Sequence, residues 1–221
     1  MKKQLYILLI FLAIISISCN KTKVEYWSNG ATKYEIPYKG DKMNGTATWY
    51  WENGNKQLQA NYSNDVLNGT LMRWFFNEVP QRTENYVDGK LEGSAVSFNE
   101  KGIKISEENY VNGIQEGKYV SSFDDGSPKI TGGFKQGKWD GKWSYFEESG
   151  IQIGEANFSR GSGTLKTYNV LGRLIKETPY VNQLKEGEET EFDPKGNKIK
   201  LNVYHEDKLI SEQKIDSPKT K

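Results

Sequence analysis

The chain has 221 residues, with 30 Lys+Arg against 29 Asp+Glu, a formal net charge of +1, one histidine and one cysteine. This balance leaves no basic footprint for nucleic acid, and a lone cysteine excludes an intrachain disulfide framework or a cysteine-rich zinc site. Hydrophobic residues reach only 35%, which is thin for a compact core of this length and suits an elongated array with much exposed surface.

Residues 1–19 read as a targeting segment. Lys2 and Lys3 precede an apolar run from Leu5 to Ile17, too short for the roughly 20 residues of a membrane-crossing helix and right for a signal peptide. The run ends Ser16-Ile17-Ser18-Cys19. This resembles a bacterial lipobox, whose cysteine is lipidated and becomes the mature N-terminus, although Ser16 stands where leucine is usual. The expectation is a lipoprotein signal peptide over 1–19, lipidation at Cys19 and a short linker over 20–23. Asn20 is not the aspartate that retains some lipoproteins at the inner membrane, and no acidic cluster follows it. The expected location is therefore the outer membrane, facing the periplasm.

From residue 24 to 212 the chain repeats. Aromatics recur at Tyr38, Tyr62, Tyr86, Tyr110, Phe134, Phe158, Tyr180 and Tyr204. Glycines keep the same beat at Gly45, Gly69, Gly93, Gly117, Gly141, Gly163 and Gly187, and a third series runs from Gly30 to Gly196 with Glu78 in the one slot lacking glycine. Registered series of this kind define a repeat array. In the unit opening at Gly117, Lys118–Phe123 reads as a strand, Asp124-Asp125-Gly126 as a turn and Lys129–Phe134 as the return strand. A glycine-bearing link then leads to the next unit. No helical period follows the signal segment, so the expected class is all-β. The link from Phe158 to Gly163 is two residues shorter than the others, which predicts a kink or a tightened turn. Residues 213–221 are expected as a flexible tail.

A second aromatic column lies five residues after each unit glycine, as at Tyr50, Trp74, Phe98 and Phe146. Strand alternation suggests that both columns share one packed face and that Trp49 and Trp51 point the other way. On that second face Trp27, Trp49, Trp51, Leu71, Arg73 and Phe75 form a candidate binding patch. The alternatives are packing through local curvature, or rest against the membrane beside the anchor.

The links Tyr86–Gly93 and Tyr110–Gly117, and the element Trp51-Glu52-Asn53-Gly54, resemble the MORN (membrane occupation and recognition nexus) repeat in its bacterial variant. The resemblance implies an elongated, single-layer, twisted antiparallel β-meander of about eight stacked hairpins. Bacterial proteins of this pattern are often called antitoxins of the YwqK type, and many are lipoproteins.

Chemistry is hard to place on this pattern. His205 occupies a link slot, so no Ser/His/Asp or Cys/His arrangement can form around it with Cys19 consumed by processing. Paired acids such as Glu107-Glu108 alternate across a strand, while Asp124-Asp125 and Glu147-Glu148 fall in turns. Neither arrangement converges as a general acid and base would. The expectation is a protein that is not an enzyme, without metal or cofactor and monomeric. It would be a membrane-tethered scaffold for a protein or envelope polymer, with lipid contact or the masking of a toxin as alternatives.

Overall fold

Two kinds of turn organise each repeat, and both rest on backbone that few side chains tolerate. Link turns place consecutive residues at positive φ, as in Asn64 (50°) and Asp65 (70°) or Asp88 (47°) and Gly89 (78°), the geometry that matches the twist of a tight hairpin. Tip turns span five residues: the Trp51 N–H donates to Asn55 O (2.8 Å) and the Gly54 N–H to Trp51 O (2.9 Å). The computed structural model describes residues 20–215. The signal segment 1–19 with Cys19, and residues 216–221 of the expected tail, lie outside them.

Among the described residues all regular structure is β, in 22 strands from Asn20–Tyr26 to Lys208–Lys214. Seventeen are full strands and five are two-residue strands that follow link turns, such as Lys42–Met43 and Lys90–Leu91. Each full strand pairs with the full strands before and after it, and every pairing is antiparallel, as for Gly45–Tyr50 with Lys56–Ser63 and Lys56–Ser63 with Val66–Trp74. The result is one open meander of stacked hairpins, as expected. The terminal expectations need correction. Residues 20–23 are no linker, because the first strand begins at Asn20 and pairs with Thr32–Lys39. The tail starts later than 213, since Gln213 and Lys214 pair with Leu201 and Lys200.

Register decides what each face carries. Gly45 lies opposite Tyr62, Ala47 opposite Ala60 and Trp49 opposite Leu58; a one-residue bulge at Gln57 then sets Tyr50 opposite Lys56. Facing residues share a side of the sheet, so the Tyr62 column shares its face with Ala47 and Trp49, while Tyr50 points away. The two aromatic columns thus occupy opposite faces, and Trp49 joins the first of them. The period shows that columns exist, but only register assigns them to a side.

The first face holds the packed core. Its centre is a line of facing pairs in which a large residue meets a small or polar one: Tyr119 with Gly132, Trp143 with Ala156, Leu165 with Thr178. Trp143 and Phe158 are each only 4% exposed. They pack among Tyr119, Ile130, Phe134, Trp139, Tyr145, Leu165 and Tyr180, with Phe134 edge-on to Trp143 at 5.3 Å and Trp139 tilted against Phe158 at 5.1 Å. Burial of these rings is the main force holding the middle of the array together.

Both long edges of the ribbon are laced. At the link edge the Gly89, Gly113 and Gly137 N–H groups donate to Leu67, Leu91 and Gln115 carbonyls of the preceding link at 2.8–2.9 Å. Glu92 and Glu116 carboxylates accept from the Asn112 and Gln136 N–H groups. At the tip edge Asn29, Asn77 and Asn99 side chains donate to the Glu52, Glu100 and Asp124 carbonyls of the next tip. Each unit is thereby tied to its neighbour, as a quasi-one-dimensional array requires. The short link tightens as anticipated: the two-residue strand is replaced by a single bridge between Ser159 and Ser162 around Arg160 and Gly161.

Candidate binding surfaces

The six residues of the sequence-derived patch do not form one surface. Leu71 is 5% exposed and sits in the core line opposite Glu84. Trp49 and Arg73 lie on the core face, half-buried. Trp27, Trp51 and Phe75 open three successive tip turns, each donating its N–H across the turn, to Ala31, Asn55 and Val79. The Trp27 indole donates to Tyr50 O at 3.1 Å, and Trp51 tilts against Phe76 with centroids 6.1 Å apart. These three line the tip edge together; the other three belong to the core face.

The column residues Tyr38, Tyr62, Tyr86, Tyr110, Phe134, Phe158, Tyr180 and Tyr204 all stand on the core face, opposite the unit residues of the same hairpin. Two charged networks flank the aromatic cluster on this face. Glu84, 6% exposed, receives Arg82 at 2.7 Å and Arg73 at 3.0 Å. Arg82 also donates to Ser97 Oγ at 2.7 Å and lies 3.7 Å from Glu108, which accepts from the Tyr110 hydroxyl. Burial pushes the Tyr110 hydroxyl up, and Glu108 adds to this, to about 12. For Glu84 burial favours the neutral acid, but the hydrogen bonds and charge of Arg82, then of Arg73, outweigh it and hold the carboxyl below its ordinary value. The second network surrounds Glu189, 3% exposed, which accepts from Thr178 (2.7 Å), Lys185 (3.2 Å) and Asn202 (3.2 Å). No alternating pattern announced these buried glutamates: Glu189 stands where other units place Ala47, Leu71, Ala95, Tyr119, Trp143 and Leu165, and Glu84 stands in a column of mostly small or polar residues that includes Ala60, Gly132, Ala156 and Thr178. The one available signal is a carboxylate falling in the core column itself.

The second face is different. Tyr50, Trp74, Phe98, Phe146, Tyr168 and Phe192 repeat along it, all half-exposed. Tyr50 and Tyr168 hydroxyls reach Glu35 and Glu155 on the same face at 3.2 and 2.9 Å, and the Lys56 ammonium lies 5.6 Å from the Trp74 ring centre. Among the described residues no second layer covers this row. His205 ends the strand Lys198–His205, exposed, with its Nδ1 3.0 Å from Glu186 Oε1. That hydrogen bond raises its pKa. Among the described residues no group of three or more His, Cys, Asp or Glu side chains could hold a metal ion.

Residues 43–64 match the family model described as MORN repeat variant. The match supports a MORN-repeat protein. It spans one turn of the array, from Met43 through the hairpin Gly45–Ser63, and the register of that hairpin recurs in every later unit. No curated protein matches the chain. The match and the recurring hairpin support a repeat scaffold.

Proposed function

We propose that this protein is a lipid-tethered, non-enzymatic scaffold of the cell envelope. Cys19 would carry the lipid in the outer membrane, and the second face and tip edge of the sheet would bind a protein or envelope component. The observation that carries this reading is the half-exposed aromatic row Tyr50, Trp74, Phe98, Phe146, Tyr168 and Phe192, repeated on a face that no other layer of the described residues covers. Aromatic area held rigidly on strands binds at little entropic cost, and aromatics are enriched at binding hot spots.

Affinity capture with the tethered full-length protein, read by mass spectrometry, tests the reading. The expected result is one envelope partner, lost when Phe98, Phe146 and Tyr168 are replaced by serine with little change in melting temperature. Capture that is indifferent to those substitutions would remove the second face from the function. Recovery of a toxin would turn the scaffold into a masking protein.

A further inference from the structure

One break in the repeat marks a place where the array departs from its own rule. Seven of the eight tip turns put glycine at the fourth position with φ between 74° and 88°; the third puts Glu78 there, at φ 66°. An L side chain in this region is strained relative to glycine; the other non-glycine residues at positive φ, such as Asn64 and Asp88, all lie in link turns, so Glu78 is the one such residue at a tip among the described residues. The geometry of neighbouring tips shows where the side chain begins. A Cβ on Gly102 would touch Val79 Cγ1 at 3.7 Å, and one on Gly126 would touch Ile103 Cγ2 at 3.0 Å. Val79 and Ile103 occupy the slot that Asn55 fills one unit earlier, so Glu78 stands beside Asn55.

An open depression of about 420 Å³ lies at this point on the second face, lined by Tyr50, Gly54, Asn55, Lys56, Trp74 and Glu78. Two aromatic side chains bound it, and an amide, an ammonium and a carboxylate rim it. Among the described residues the Glu78 carboxylate makes no hydrogen bond or ion pair. The equivalent slots in the unit before hold Ala31, Thr32 and Gly54, and in the unit after Val79, Pro80 and Gly102. The polar lining therefore belongs to this one step of the array.

We infer that the depression between Tyr50 and Trp74 binds a pyranose ring of a neutral, linear glycan. Aromatic walls take the apolar C–H face of a sugar ring, while a few convergent polar groups fix its hydroxyls. Charge selects among occupants. Lys56 and Glu78 balance, so an anionic lipid headgroup meets Glu78 and a cationic peptide meets Lys56. An apolar segment would desolvate Lys56 and Glu78 with no polar partner, whereas the Asn55 amide already donates to Phe76 O at 3.2 Å. A ring bearing hydroxyls or acetamido groups offers partners to Lys56 and Glu78 and a donor to the Asn55 side-chain oxygen. Successive aromatics of the row stand two strands apart, about 9.6 Å, so Phe98 continues the platform for the next part of the same strand.

This inference deepens the scaffold reading and rests on it. Isothermal titration of the purified full-length protein in detergent, with a tetramer of β-1,4-linked N-acetylglucosamine and with cellotetraose in parallel, tests it. Saturable binding of at least one tetramer is expected, abolished by Trp74→Ala and weakened about tenfold by Glu78→Gly through loss of a charge-assisted hydrogen bond. Glu78→Gly also relieves the positive φ, so its melting temperature should rise, and a weaker affinity in that variant cannot be put down to misfolding. Absence of heat with both sugars, or binding that survives Glu78→Gly undiminished, overturns the site. Either result leaves the tethered scaffold standing, because affinity capture reads a partner of any chemistry.

Discussion

Gly132 carries no side chain because Trp143 fills its space: a Cβ there would collide with the indole atoms Cδ2, Cε2 and Cε3. Trp143 is held from the other end by its Nε1, which donates to Gly133 O at 3.2 Å, so the ring cannot swing clear. Gly132→Ala should therefore destabilise the fold by about 1–3 kcal/mol, the usual range for an overpacked core, read as a lowered urea midpoint. The buried glutamates set the acid limit of the same face. Glu84 and Glu189 both titrate below their ordinary value of 4.5. For each, burial opposes ionisation and the neighbouring donors, Arg82 and Arg73 or Thr178, Asn202 and Lys185, outweigh it. Their stabilisation is complete above pH 4.5 and fades as the pH falls through the lower folded-state values. Melting temperature should drop steeply on that acid limb, and Glu84→Gln should flatten the slope there.

At the scale of the hairpin, Phe158 is the most enclosed member of the recurring column, touching Trp139, Trp143 and Tyr180. Phe158→Ala should cost about 3–5 kcal/mol, and Tyr62→Ala less, because Tyr62 is only half-buried; urea unfolding of the two variants gives the comparison. Excising residues 94–117, one whole repeat, should preserve the far-ultraviolet circular dichroism signal and cooperative unfolding, while excising 94–105 alone should lose both. The first deletion restores the pairing of Gly69–Tyr86 type across the cut, and the second sets a return strand where a first strand belongs. Strand, turn and link were legible in the chain because glycine and aromatic recur together, and the unit Gly117–Phe134 folds as its letters suggest. The sidedness of the columns was not. A bulge at Gln57 is silent in the composition of the strand, and counting from Tyr62 to Tyr50 across it puts both columns on one face, which sends Trp49 to the wrong side. Leu71 misled in the same way: it reads as an exposed neighbour of Arg73 until register sets it in the buried line opposite Glu84.

For the whole molecule, the reach of the array depends on how it is held. If Cys19 carries the lipid, Cys19→Ser should move the protein from the membrane fraction to the soluble one and end labelling by a fatty-acid analogue; retention with labelling intact would leave the tether without support. Because strand pairing begins at Asn20, such a tether would have almost no slack, and the first hairpin would sit against the headgroups. Seventeen full strands at about 4.8 Å each extend the far end roughly 75 Å along the sheet.

That strand number is odd, and parity has a consequence of its own. The first strand runs from the link edge to the tip edge, and so does the last, Lys208–Lys214. The described residues thus begin at one corner of the ribbon and end at the diagonally opposite one. A repeat contributes two strands, so gaining or losing any number of repeats lengthens or shortens the ribbon without moving either corner to the other side. A fluorescent reporter fused directly after Ile215 should emerge on the side of Trp27, Trp51 and Phe75 whatever the repeat number, which makes length a freely adjustable spacer between two fixed corners.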